Sequence, residues 1–181
     1  AAADPTCAGV VLVDGGVVDM QARPGATWEE TARALAPPDL SHLHLDDLVQ
    51  HMGRGPLAHL DEDFRRAFFR SLMEEQPDGT IRARLTRARH MKILRAMWDQ
   101  RVAPLLAQVA CPILVILAQP ADEHEDHPFQ AAKRAGLALF REHPHTEIHI
   151  LPDTIHDIPL QRPDTLADLI GQWLEGLRTE D

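Results

Sequence analysis

Long apolar runs are missing from this sequence. No stretch of about 18 apolar residues occurs, so no membrane span is expected. Cysteine is scarce: Cys7 and Cys111 are the only two, neither sits in a C-x-x-C pair, and they make no disulfide framework. Basic charge is outweighed, with 18 Lys and Arg against 28 Asp and Glu and a formal net charge of -10. A field of that sign repels phosphate, which argues against nucleic acid and anionic membrane as partners. It leaves room for a small anionic substrate, because a local pocket can differ in sign from the whole. No basic segment followed by an apolar one opens the chain, so no signal peptide is read and a cytoplasmic protein is expected. Internal repeats and low-complexity tracts are lacking too. Gly15-Gly16 alone is too little for a glycine-rich phosphate loop.

What is there is ordinary for a globular domain. The 181 residues are 44% hydrophobic and 25% charged, enough for one real core. The first residues, Ala1-Ala2-Ala3-Asp4-Pro5, read as the end of a helix stopped by proline, with no initiator Met. The expectation is therefore a piece of a longer polypeptide.

Residues 9–14, Gly-Val-Val-Leu-Val-Asp, form a β-branched run without polar alternation, as in a strand buried on both faces. Gly15-Gly16 breaks it. From 17 to 100 the β-branched runs vanish and a helical block is expected. Its first helix opens at the capping-box pattern Thr27-Trp28-Glu29-Glu30 and ends before Pro37-Pro38. A second spans about 41–52. A third is capped by Asp61 and carries Phe64, Phe68 and Leu72 on one face. The segment Pro77-Asp78-Gly79 is a turn. A fourth helix covers about 85–98, with Met91, Leu94 and Trp98 on one side. Strand character returns at 113–117, Ile-Leu-Val-Ile-Leu. An acidic, histidine-rich loop follows, then a helix starting at Pro128, a strand at 147–151 and a last helix from about Pro163. Strands separated by helices imply a parallel sheet. Three such strands alone would leave a long apolar edge, a physical reason to expect further strands from another chain or segment.

His156 lies between the strand at 147–151 and the last helix, in Asp153-Thr154-Ile155-His156-Asp157-Ile158-Pro159-Leu160-Gln161-Arg162-Pro163. Asp122 lies just past the end of the preceding strand. Open parallel sheets place functional groups at such strand exits. A carboxylate there can accept from the imidazole and fix its tautomer.

This order of Asp and His, closing in a His-x-x-Pro-x-x-x-Pro stretch before an amphipathic helix, resembles the α/β-hydrolase fold. The fold class expected is thus α/β: a partial α/β-hydrolase fold, parallel strands with flanking helices and an inserted helical cap. The resemblance implies a core strand and turn at 1–16 (the sixth strand), a cap at 17–100, and the C-terminal part of the core at 101–181 (the seventh and eighth strands). It also implies a triad of nucleophile, His156 and an acid. Asp122 is the first choice of acid, although the family's Gly-x-x-Asp is here the one-residue-longer Ala118-Gln119-Pro120-Ala121-Asp122. Asp14 is the alternative, because some members supply the acid after the sixth strand. Glu123 and Asp126 come after these. The acidic loop also reads simply as solvated, and Asp14 as a turn residue beside its glycines.

The family's G-x-S-x-G elbow is absent. The only serines, Ser41 and Ser71, lack flanking glycines. The nucleophile is therefore expected upstream of residue 1 or in a companion chain with the N-terminal half. Two histidine-rich patterns fall short of metal signatures. His42-x-His44-x-Asp46-Asp47 lacks the final histidine of the zinc signature of metallo-hydrolases, and His124-Glu125-Asp126-His127 is too short for His-Glu-x-x-His. No metal and no cofactor is expected. Arg82, Arg84, Arg87, Arg89 and Arg95 read as a solvated helix face. The resemblance implies a small-molecule ester, amide or related acyl substrate. The rival is a non-catalytic fragment or binding module that uses the cap surface.

Overall fold

The computed structural model describes residues 1–2, 4, 6–22, 25–55, 57–121 and 128–179, with backbone alone at 128–132 and 179. The chain forms two compact units, one of residues 1–27 and 98–181, the other of residues 28–97. The sequence reading draws its boundaries at 16/17 and 100/101. Residues 17–27 fall in the first unit because Val17 is buried in its core.

In chain order the elements are β1 (Val10–Val13), α1 (Trp28–Ala34), α2 (Leu45–Gly53), α3 (Glu62–Leu72), β2 (Met73–Glu75), β3 (Ile81–Ala83), α4 (Arg87–Asp99), α5 (Val102–Leu106), β4 (Ile113–Gln119), α6 (Pro128–Glu142), β5 (Thr146–Pro152), α7 (Ile158–Gln161) and α8 (Pro163–Thr179). Among the described residues, no helix is long and apolar enough to cross a membrane.

The first unit is built on a parallel sheet of order β1-β4-β5. β4 lies in the middle and is buried on both faces, which is why it reads as an unbroken apolar run. Successive side chains point to opposite faces. Ile113, Val115 and Leu117 pack with Val17, Val102, Leu106, Leu137 and Phe140. Leu114, Ile116 and Ala118 pack with Ile158 and Trp173. Helices therefore cover both faces, as in a doubly covered α/β sheet. Two close approaches hold the layers. A Cβ on Gly9 would meet the Trp173 ring at 2.6 Å, and one on Gly136 of α6 would meet the Val17 carbonyl oxygen at 1.7 Å.

The second unit is less purely helical than its composition suggests. Asp61 caps α3 as expected, accepting from the Phe64 N–H at 2.8 Å. The buried residue of α3 is Phe69, however, while Phe64 and Leu72 are exposed, so the expected stripe of Phe64, Phe68 and Leu72 is not the packed face. On α2, Gly53 leaves room for the Arg65 guanidinium, which a Cβ would meet at 2.7 Å. The hairpin β2–β3 is the larger departure. The Pro77-Asp78-Gly79 turn sits at its tip, with Gly79 at φ +83° and the Asp78 carboxylate accepting from Thr80 N–H. Met73-Glu74-Glu75 carries no strand signal. The hairpin is held by tertiary partners: Ile81 is buried, its N–H donates to the Leu43 carbonyl, and Arg82 pairs with Glu74. Arg82 thus belongs to a strand, and Arg95 lies 5.0 Å over the Trp28 ring, so these arginines do not form one solvated helix face.

Candidate active site

The site is built where β1, β4 and β5 end. β1 is the shorter strand and leaves the sheet at Asp14, whose φ is +42°. Up to that point the ladder is regular: Val10 N–H donates to Pro112 O at 3.0 Å and Asp14 N–H to Ile116 O at 2.7 Å. The rung that would continue a parallel ladder joins Ala118 N–H to the Asp14 carbonyl. Asp14 Oδ1 accepts it instead, at 2.9 Å. The local turn therefore exchanges a backbone acceptor for a carboxylate, and fixes that carboxylate on the sheet edge.

β5 ends at Pro152, and the chain turns at Asp153 with φ +50°. Thr154 is fully buried and ties the loop to β4 by donating its N–H to Gln119 O at 3.2 Å. The short helix α7 straps the same loop. Gln161 accepts from Ile155 N–H at 2.7 Å and donates to Asp153 O at 3.1 Å, and Arg162 donates to Thr154 Oγ1 at 2.9 Å. His156 is held at the crest of this strapped loop. Its Nδ1 lies 2.8 Å from Asp14 Oδ2. An ionised carboxylate only accepts, so Nδ1 is the donor, and in a neutral imidazole the lone pair is then on Nε2. The Asp14 side chain is 8% exposed and that of His156 is 79% exposed. A buried acid thus orients an open imidazole, the arrangement that lets a histidine take and return a proton.

Of the residues singled out in sequence, the structure brings together His156 and Asp14, across the end of the central strand. Asp122, Glu123 and Asp126, with His124 and His127, lie outside the described residues. Ser71 donates its hydroxyl to the Phe68 carbonyl at 2.6 Å, and Ser41 lies in a turn. His44 precedes α2 rather than lying within it, and its Nδ1 contacts the Gly79 carbonyl oxygen at 2.7 Å. Among the described residues, no three His, Cys, Asp or Glu side chains are grouped to hold a metal ion. Lys133 of α6 was missed by sequence reading: its Nζ donates to Ala118 O at 2.6 Å and lies 3.7 Å from Asp14 Oδ1. A lone lysine in an amphipathic helix carries no signal that would single it out. A cavity of about 450 Å³ opens beside the ends of β4 and β5, lined by Lys133, Leu137, Ile150 and Asp153 among others, but neither Asp14 nor His156 lines it.

No protein-family model matches the sequence, and no curated protein sequence matches it significantly. Solved structures do. The chain is similar to E-2-(acetamidomethylene)succinate hydrolase, with a TM-score of 0.63 and 16% identity over 93% of this chain and 57% of that one. It is also similar to an esterase of M. tuberculosis, with a TM-score of 0.60 and 15% identity over 93% of this chain and 54% of that one. The chain therefore spans little more than half the length of the solved chains it matches.

Proposed function

From the part of an α/β-hydrolase fold that this chain forms, we propose that it carries the histidine and acid of a hydrolase acting on a small ester, amide or related acyl substrate. His156 is the general base toward a nucleophile and then the general acid toward the leaving group. Asp14 holds the imidazole in its Nδ1–H tautomer and stabilises the imidazolium. The observation that carries this reading is the 2.8 Å contact between His156 Nδ1 and the buried Asp14. Fold alone does not fix function. The names of both solved neighbours, a hydrolase and an esterase, agree with the reading. Asp122, the acid favoured by the strand order in sequence, is the rival for Asp14's role.

The nucleophile belongs to a further polypeptide segment, because no G-x-S-x-G occurs in this sequence. Without it the pair has nothing to activate. Denaturing intact mass spectrometry of the protein from its native source, paired with p-nitrophenyl ester hydrolysis, tests this. The expected result is hydrolysis by material containing a G-x-S-x-G segment, abolished by His156→Ala. Hydrolysis that survives His156→Ala would overturn the proposal. So would a complete elbow-bearing assembly with no acyl hydrolysis, which would leave a binding role.

A further inference from the structure

Resting on the Asp14–His156 reading, we propose that Lys133 is a positioning residue for that pair, fixing which oxygen of Asp14 faces the imidazole. The two oxygens of a carboxylate are equivalent until something claims one. Here Oδ1 is claimed twice, by Ala118 N–H at 2.9 Å and by the Lys133 ammonium at 3.7 Å. Oδ2 is left to His156. The ammonium is itself held, because it donates to Ala118 O at 2.6 Å and its side chain is only 16% exposed. One residue of β4 is thus gripped at both ends: its N–H by the acid, its carbonyl by the lysine. The ammonium's hydrogen bond goes to the Ala118 carbonyl, and at 3.7 Å from Oδ1 it acts on the carboxylate as a charge. It supplies an opposite charge beside a buried carboxylate, which is costly to leave uncompensated.

The reach of Lys133 follows from packing. Residues 133 and 136 are three apart and lie on one face of α6. Gly136 lets that face approach the Val17 backbone so closely that a Cβ would stand 1.7 Å from the carbonyl oxygen. Val17 is three residues beyond Asp14. The contact that needs a glycine at 136 therefore brings the amine at 133 to the acid.

The test reads His156 directly, in the chain as it stands. Imidazole ¹⁵N–¹H spectra report which ring nitrogen of neutral His156 carries the proton, with His156→Ala assigning the signals. A histidine held by Asp14 carries it on Nδ1, whereas a free imidazole favours Nε2. Lys133→Met is expected to shift the tautomer ratio about tenfold toward Nε2–H, the size of roughly one net hydrogen bond. Lys133→Arg, which keeps charge and donors, is expected to restore the Nδ1–H form. Asp14→Asn is the control for the underlying pair. If Asp14→Asn leaves the ratio unchanged, the pair itself fails. If Asp14→Asn shifts it and a folded Lys133→Met does not, the pair stands and the role of Lys133 is overturned. Should Lys133→Met not fold, Lys133→Gln decides, since it keeps a donor and removes the charge. A wild-type ratio in that variant overturns the proposal, and a shifted ratio beside an unshifted Lys133→Arg supports it.

Discussion

Asp14 Oδ1 accepts the Ala118 N–H at 2.9 Å, the rung of the β1–β4 ladder that the Asp14 carbonyl would otherwise fill. The side chain that ends β1 is thereby part of the sheet, and its second oxygen meets His156. An acid fixed in this way cannot drift with its loop, which is what an orienting carboxylate requires.

Replacing this acid should separate it from its rival. In the assembled hydrolase, Asp14→Asn is expected to lower kcat on the order of 10⁴-fold, as when the acid of a Ser-His-acid triad is made an amide. Asp122→Asn should leave the rate near wild type. Steady-state ester hydrolysis by the two variants checks this. The reverse pattern would assign the acid to Asp122.

Gly136→Ala should destabilise the first unit by roughly 1–3 kcal/mol, the usual cost of overpacking. The added methyl meets the backbone oxygen of Val17 at 1.7 Å, not the yielding end of a side chain. Urea unfolding should show a lower midpoint with an unchanged slope. A wild-type midpoint would mean that α6 does not lie this close to the Val17 peptide.

Asp19 gives a pH-dependent prediction. It is buried beneath Arg101, whose Nε donates at 2.8 Å, with Gln21 N–H at 3.0 Å and Val102 N–H at 3.4 Å. Burial pushes its carboxyl up, but the Arg101 hydrogen bond and charge, then the backbone donors, outweigh it and hold the carboxyl below the ordinary range. Its stabilisation is therefore full above the unfolded value, near about 3.9, and lost as pH falls through the lower folded value. Asp19→Asn is expected to cost about 1–3 kcal/mol at neutral pH. The gap from wild type should close in strong acid. Unfolding midpoints at pH 7 and in strong acid measure both, and a gap independent of pH would contradict the ion pair.

Cys111 should be the sluggish thiol. Burial first, then the hydrogen bond and charge of the neighbouring Cys7 thiol, raise it above the ordinary cysteine value. The thiolate is the reactive form. Iodoacetamide near pH 8, followed by peptide mass spectrometry, should label Cys111 more slowly than an unstructured cysteine peptide. Equal rates would remove the burial argument.

Much of the fold is legible residue by residue. The apolar run at 113–117 reads as a buried strand, and it is one, extended to Gln119. Pro128 and Pro163 open their helices, and Asp61 caps its own, because proline and aspartate act on the backbone beside them. The similarity to solved hydrolase chains bears out the partial α/β-hydrolase fold that the order of Asp and His resembles. The hairpin β2–β3 was not legible, since its strands draw stability from Leu43 and from burial of Ile81 rather than from their own propensity. Phe69 and not Phe64 faces inward on α3 because packing partners choose the face when aromatic residues surround a helix.

What the sequence by itself determined is local. The unbroken apolar run of β4, the caps and stops, the two glycines that release Asp14 from its strand, and a histidine just past a strand end all follow from neighbours in the chain. Tertiary structure alone decided which described carboxylate meets that histidine. Strand order β1-β4-β5 sets Asp14 and His156 on opposite sides of the central strand. They meet only because one carboxylate replaces a backbone rung and the loop of the other residue is strapped by Gln161 and Arg162. Contacts between residues 142 positions apart are matters of register and reach in three dimensions, and no spacing in the chain encodes them.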